Sequence, residues 1–293
     1  MAYRFSKINF EQWHKNSRIK VAFFFAFIIC LMLTKSVLSF ADSYGTSMQI
    51  LEGFIWIMGN AKSIFFVMIP LIFLLSDTPF MYELTPLCIL KGNRKVWMGG
   101  QILYILCTTI IYMLFLMVSM CLMCIHISFI GNVWSQTSAY IGYSGIGEKI
   151  AIPASVKAME TATPYSCFIQ IFLLVTLYAM VIGVAMLFFS LSKNGEVGAW
   201  FGIGINLLGV LLSPQMFQTI LQLPDGVFYK ANLLFGWISP LNHATFYMHN
   251  FGYDYLPRIW MSCTLFIIIV LLFILGINRR IKKYEFSFVK ISE

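Results

Sequence analysis

The chain has 293 residues, 59% hydrophobic and 17% aromatic but only 11% charged, with 20 Lys and Arg against 12 Asp and Glu for a formal net charge of +8. Soluble domains carry roughly a quarter of their residues as charges, so this composition excludes a soluble globular protein and points to an integral membrane protein. Six apolar runs take up most of the length and leave no room for a soluble catalytic domain.

The first twenty residues, MAYRFSKINFEQWHKNSRIK, interleave Phe5, Ile8, Phe10 and Trp13 with five bases. That mixture predicts an amphipathic helix over residues 1–19 lying in a membrane interface; a disordered basic tail is the plainer alternative. The first apolar run, Val21 to Phe40, matches the roughly 20 residues that a hydrocarbon core of about 30 Å demands. It is too long for a signal-peptide core and no A-x-A-type site follows, so it is expected to be retained. Lys35 is the one base inside it, near enough to the outer end to snorkel, although a charge at such a place is often functional.

Ser63 to Leu75 is a short second span, extended to Asn60 if Lys62 snorkels. The connection before it, residues 41–60, is semi-apolar, with Trp56 suited to the headgroup level. The later spans are Gly99 to Ile125, Cys167 to Leu191, Val197 to Phe217 and Ile259 to Ile277. Residues 128–165 form the longest polar connection, with local helix expected over Pro153 to Thr161. Residues 218–258 are too apolar for a free loop and too broken by Pro and Gly to cross, so short helices dipping into the outer leaflet are expected. Gly198 and Gly202 form a G-x-x-x-G pair in the fifth span, which permits another helix, of this chain or a second subunit, to approach closely.

With the N-terminus inside, 14 of the 20 bases fall on the inner side while the acids divide evenly, six and six. This is the positive-inside pattern, so both termini are expected in the cytoplasm and the basic balance requires no nucleic acid. The fold expected is therefore an all-α integral membrane protein, one domain over 1–293, with six transmembrane helices within 20–278 and a cytoplasmic tail over 279–293.

Catalytic motifs are missing. There is no G-x-x-x-x-G-K-[ST] loop, H-E-x-x-H or G-x-S-x-G. Cys121 and Cys124 make a C-x-x-C without a second pair, which reads as packing. His243 and His249 are six apart, not the four of a helical metal pair, and interfacial hydrogen bonding is expected of both.

The stretch Leu74 to Gln101, LLSDTPFMYELTPLCILKGNRKVWMGGQ, faces the cytoplasm in this topology. Asp77-Thr78-Pro79 offers a helix cap followed by Pro, Met81 to Leu90 a short helix limited by Pro86, and Lys91-Gly92-Asn93 a stop. Such a helix suits insertion into a groove of a soluble partner; anchorage to anionic lipid by Lys91, Arg94, Lys95 and Trp97 is the alternative.

The whole arrangement resembles the permease subunits of type-2 ATP-binding-cassette exporters. Asp77-Thr78-Pro79-Phe80, then Gly92-Asn93-Arg94 and Trp97, with Gly100 and Tyr104, are similar to the motif of a Gram-positive subfamily, as are Gly236 to His243 and Lys283-Tyr284-Glu285-Phe286. The resemblance implies a coupling helix using Asp77, Pro79, Phe80, Met81, Glu83, Leu87, Leu90 and Arg94. It also implies subunit packing near Gly198 and Gly202, and a homo- or heterodimer in the cell membrane. No cofactor would be bound by this chain: ATP would be hydrolysed by a separate ATPase subunit, and amphipathic or antimicrobial peptides are the exported class the resemblance suggests. The competing class is a secondary carrier, or a membrane assembly or lipid-handling factor, with no ATPase partner.

Overall fold

The computed structural model describes residues 2–81, 93–144, 147, 155–191, 196–252, 255–282 and 284. The helix expected over Met81 to Leu90 lies almost wholly outside the described residues, as do Glu83, Leu87 and Leu90.

Among the described residues four helices are long and apolar enough to cross a membrane: α2 (Ser17–Tyr44), α5 (Arg94–Cys124), α8 (Pro164–Ser190) and α13 (Ile259–Arg280). Two bent pairs raise the number to six if each counts as one span. In the first, α3 (Glu52–Met58) meets α4 (Ala61–Leu75) at 92°; in the second, α9 (Val197–Leu211) meets α10 (Pro214–Ile220) at 77°. At about 1.5 Å per residue, α4 and α9 alone fall short of a ~30 Å core. The fifth span, expected as one run to Phe217, breaks at Leu212 and Ser213, where Pro214 starts a new helix capped by the Ser213 side chain.

Helix starts follow from local chemistry. Asn16, Asn60 and Asn93 cap α2, α4 and α5, each accepting from a backbone N–H two residues on. Gly45 closes α2 in the left-handed conformation at φ 61°. The buried positions of α2, including Ile19, Ala22, Ala26, Cys30, Thr34, Val37 and Ala41, recur every three or four residues and form one stripe. Its other face exposes Phe24, Phe25, Leu31 and Met32, as expected where lipid is the solvent.

The central element is α8. In its most apolar stretch 72% of residues are buried, against 11% for α13. It packs against α13, α9, α5 and α4, while α2 packs on α4 and α5. Pro70 interrupts α4, and such a break needs help from neighbouring helices. Two carbonyls near it accept from side chains of other spans: Tyr112 OH donates to Val67 O at 2.6 Å and Asn206 Nδ2 to Phe65 O at 3.0 Å.

The segment before α4 differs from expectation. All seven residues of α3 are buried, Trp56 completely. The indole is covered by protein and not by lipid: its Nε1 donates to Ser138 Oγ at 2.8 Å, on α6 (Gln136–Tyr143). Glu52 is held the same way, accepting from Gln49 N at 3.1 Å and from Ser135 N at 2.8 Å. Two short strands, β1 (Met48–Gln49) and β2 (Ser128–Phe129), pair in parallel and tie the connection after α2 to the one after α5. Of the local helix expected over Pro153 to Thr161, the described part is α7 (Val156–Thr161), capped by Ser155. The described part of residues 218–258 folds into short pieces, α11 (Phe228–Ile238), α12 (Pro240–Ala244) and two 3-10 turns.

Candidate functional site

At the end of the bundle where the N-terminus lies, four separate parts of the chain converge. Helix α1 (Ala2–Glu11) packs along the start of α5. It is shorter than the predicted 1–19, because Asn16 caps α2 and places Arg18 and Lys20 in the first span. Gly100 makes the contact possible: a Cβ there would stand 2.6 Å from Phe5 Cβ and 2.9 Å from Ala2 O. The face of α1 turned inward includes two polar residues, Ser6 and Asn9.

Gln101, one residue beyond Gly100, is the hub. It is buried, and its amide closes a two-point pairing with the backbone of Phe80, donating from Nε2 to Phe80 O at 3.1 Å and accepting from Phe80 N at 3.2 Å. Asn9 Nδ2 donates to the same Oε1 at 3.3 Å. One helical turn on, Tyr104 takes the Trp13 indole N–H at 2.8 Å and lies with its ring centroid 4.8 Å from those of Phe80 and Phe10.

Asp77 is half-exposed and ion-paired with Arg18, which also donates to Ser76 Oγ at 2.8 Å. Pro79 and Phe80 are buried and Met81 is partly buried against the core. The ring of Phe80 therefore holds this segment to the bundle, and it is not displayed as an anchor for another molecule. Arg94 begins α5, exposed, and donates to Tyr284 O at 3.2 Å in the C-terminal tail. Asp77, Pro79, Phe80, Met81 and Arg94 thus stand around one end of the fold; Phe80 is joined there to Tyr104, a residue of the motif, and to two residues that the sequence did not single out, Asn9 and Gln101. The available signal was Gln101 itself, an amide within an apolar helix, where an unpartnered polar group is costly.

Gly198 and Gly202 also have definite neighbours. A Cβ at Gly198 would collide with Ser190 Oγ and Met186 O, and one at Gly202 would lie 2.8 Å from Met186 Sδ. The close approach is therefore between α9 and α8 of one chain. A second subunit would have to meet α9 on its other side, where Trp200, Ile203, Leu207 and Val210 are exposed.

At the opposite end of α13 the two histidines are buried within the protein. His243 Nδ1 and His249 Nε2 both approach Ser262 Oγ, at 2.8 and 2.9 Å. Their other ring nitrogens meet backbone carbonyls: Trp237 O at 2.9 Å for His243, and Thr245 O at 2.9 Å and Phe246 O at 3.2 Å for His249. Burial lowers the pKa of both imidazoles below the ordinary histidine value, that of His249 to about 4. Cys121 and Cys124 are free thiols on α5. Among the described residues no three of His, Cys, Asp and Glu gather as a metal site.

No protein-family model, curated protein or solved structure matches the chain.

Proposed function

We propose that this membrane protein is the transmembrane subunit of an ATP-driven exporter, coupled to a soluble ATP-binding-cassette ATPase. The observation that carries the reading is the two-point pairing of Gln101 with Phe80. It fixes the start of the charged 77–94 segment rigidly to α5 and, through Asn9, to α1. A segment that transmits force between a soluble motor and a membrane bundle needs such a stiff attachment at its root, while its middle remains available to the partner. In this reading both termini are cytoplasmic, two such subunits enclose the path, and ATP is bound and hydrolysed by the partner alone. Amphipathic peptides are the proposed cargo class, and the cell membrane of a Gram-positive bacterium the proposed site.

The test is affinity purification of the full chain from its native membrane in mild detergent. A co-purifying soluble protein with a phosphate-cradling G-x-x-x-x-G-K-[ST] loop, whose ATP hydrolysis is altered by this subunit, is the expected result. A chain that purifies free of any ATPase under conditions preserving its fold overturns the proposal and favours a secondary carrier or a lipid-handling factor.

A further inference from the structure

The hydrogen-bond inventory around Ser262 does not close with neutral side chains. Four contacts in the His243–Ser262–His249 chain each need a proton: His243 to the Trp237 carbonyl, His243 to Ser262, Ser262 to His249, and His249 to the paired Thr245 and Phe246 carbonyls. Carbonyls only accept, so His243 carries its proton on Nε2 and His249 on Nδ1. Both nitrogens facing Ser262 are then acceptors, and one hydroxyl has one proton to give. Three protons are present for four contacts, and two lone pairs face each other at under 3 Å. Adding one proton to either imidazole corrects this: the charged ring donates to Oγ while the hydroxyl donates to the other ring.

We infer that His243, Ser262 and His249 form a binding site for one shared proton, which locks the outer excursion 237–249 onto the last span. The three residues come from α12, the segment after it, and α13, so the added hydrogen bond is made between elements and not within one. No Asp or Glu stands on the surrounding α4, α8, α9, α11 or α13. The titratable groups these elements do carry are engaged or distant. Tyr178 turns its hydroxyl to Asn206 and Tyr247 donates to Ile55 O. Lys62, Tyr229 and Lys230 are exposed, Tyr165 and Cys167 stand at the outer start of α8, and Cys263 follows Ser262, half-buried. Arg258, exposed, stands at the start of α13 one turn before Ser262, and Arg279 and Arg280 close its far end, about 25 Å away at 1.5 Å per residue. The charge interaction on His249 is with His243, so a second proton is repelled by the first and the site takes one.

Burial and the missing bond oppose each other. Burial, opposed by the hydrogen bonds to the Phe246 and Thr245 carbonyls and helped by His243, lowers His249 to about 4; completing the fourth contact favours the charged form and raises the uptake above that value. The experiment is a pH titration by histidine-selective NMR of the full chain in lipid nanodiscs. The expected result is a single midpoint shared by the signals of His243 and His249, between about 4 and the ordinary 6.5, with one proton per chain. Ser262→Ala should move that midpoint toward lower pH and Ser262→Thr, which keeps a hydroxyl, should retain it. Both rings remaining neutral down to pH 4, two independent protonations, or a midpoint indifferent to Ser262→Ala would each overturn the inference. The wild-type titration decides by itself if Ser262→Ala does not fold.

Discussion

The side-chain amide of Gln101 reads the backbone of Phe80 as a neighbouring strand would, donating to its carbonyl and accepting from its N–H. Gln101→Leu leaves both Phe80 groups and the Asn9 amide without their partner in a buried place, a loss of about 1–3 kcal/mol. The segment should then open more often. A single cysteine replacing Met81 in a cysteine-free chain should react with a maleimide at least about tenfold faster in the Gln101→Leu background, since 1.4 kcal/mol is a factor of ten. Gln101→Glu keeps an acceptor for Phe80 N but has no donor for Phe80 O, and should give an intermediate rate. Equal rates in all three would show that the pairing does not hold the segment.

Arg18 and Asp77 bridge the first span to the root of the same segment, but both are partly exposed, with 28% and 44% of their side-chain surface open. Such a pair contributes at most about 1 kcal/mol and is screened by salt. Asp77→Asn should lower the melting temperature little, and less still in high salt. A double-mutant cycle with Arg18→Ala should return a small coupling energy. If Asp77→Asn nevertheless abolishes ATPase co-purification, the carboxylate acts on the partner and not on the fold.

Gly198 and Gly202 now carry a different expectation from the one their motif suggests. Because α8 backbone and the Ser190 side chain fill the space beside Gly198, Gly198→Ala should destabilise the single chain by about 1–3 kcal/mol through forced repacking. Gly204, two residues beyond Gly202, has open space where its Cβ would be. Gly204→Ala should be neutral or slightly stabilising, since Ala favours helix. Thermal unfolding in detergent distinguishes the two. A Gly198→Ala chain with wild-type melting but weakened subunit crosslinking would return the motif to the subunit boundary.

Orientation rests on the charges. In a cysteine-free background, a cysteine at Ser144 should react with an impermeant maleimide added outside intact cells, and one at Lys193 should react only after lysis. Equal or reversed labelling overturns the inside placement of the 14 bases.

The long helices were legible because roughly 20 apolar residues have few other uses, and their starts because Asn16, Asn60 and Asn93 cap locally. The burial of Trp56 is not legible in the sequence because its partner, Ser138, lies 82 residues away. A semi-apolar segment beside a membrane looks the same whether it meets lipid or protein. The pairing of His243 and His249 is not legible in their spacing for a similar reason: Ser262, on another element, joins the two rings. The Gly pair gave the right kind of contact without its partner, since a small-residue groove does not encode which helix fills it.

The last expectation separates anchoring from docking within residues 77–97. Phe80 is buried against Tyr104, so Phe80→Ala should cost about 3 kcal/mol or more, the usual range for a buried ring, and lower the melting temperature of the isolated subunit. Loss of ATPase binding in that variant would follow from loosened structure. Glu83→Arg is the cleaner probe of docking, because a reversed charge at the contact should reduce ATPase co-purification tenfold or more while the melting temperature stays within about a degree. Lipid anchorage predicts the converse. Neutralising Lys91, Arg94 and Lys95 and removing Trp97 would then weaken binding to anionic vesicles, and Glu83→Arg, which adds a base, would strengthen it. Arg94 also serves the tail through Tyr284 O, so Lys91→Ala and Lys95→Ala should be measured without it. Co-purification lost in Glu83→Arg and kept in the lysine variants supports docking; the opposite pattern makes the segment a lipid anchor.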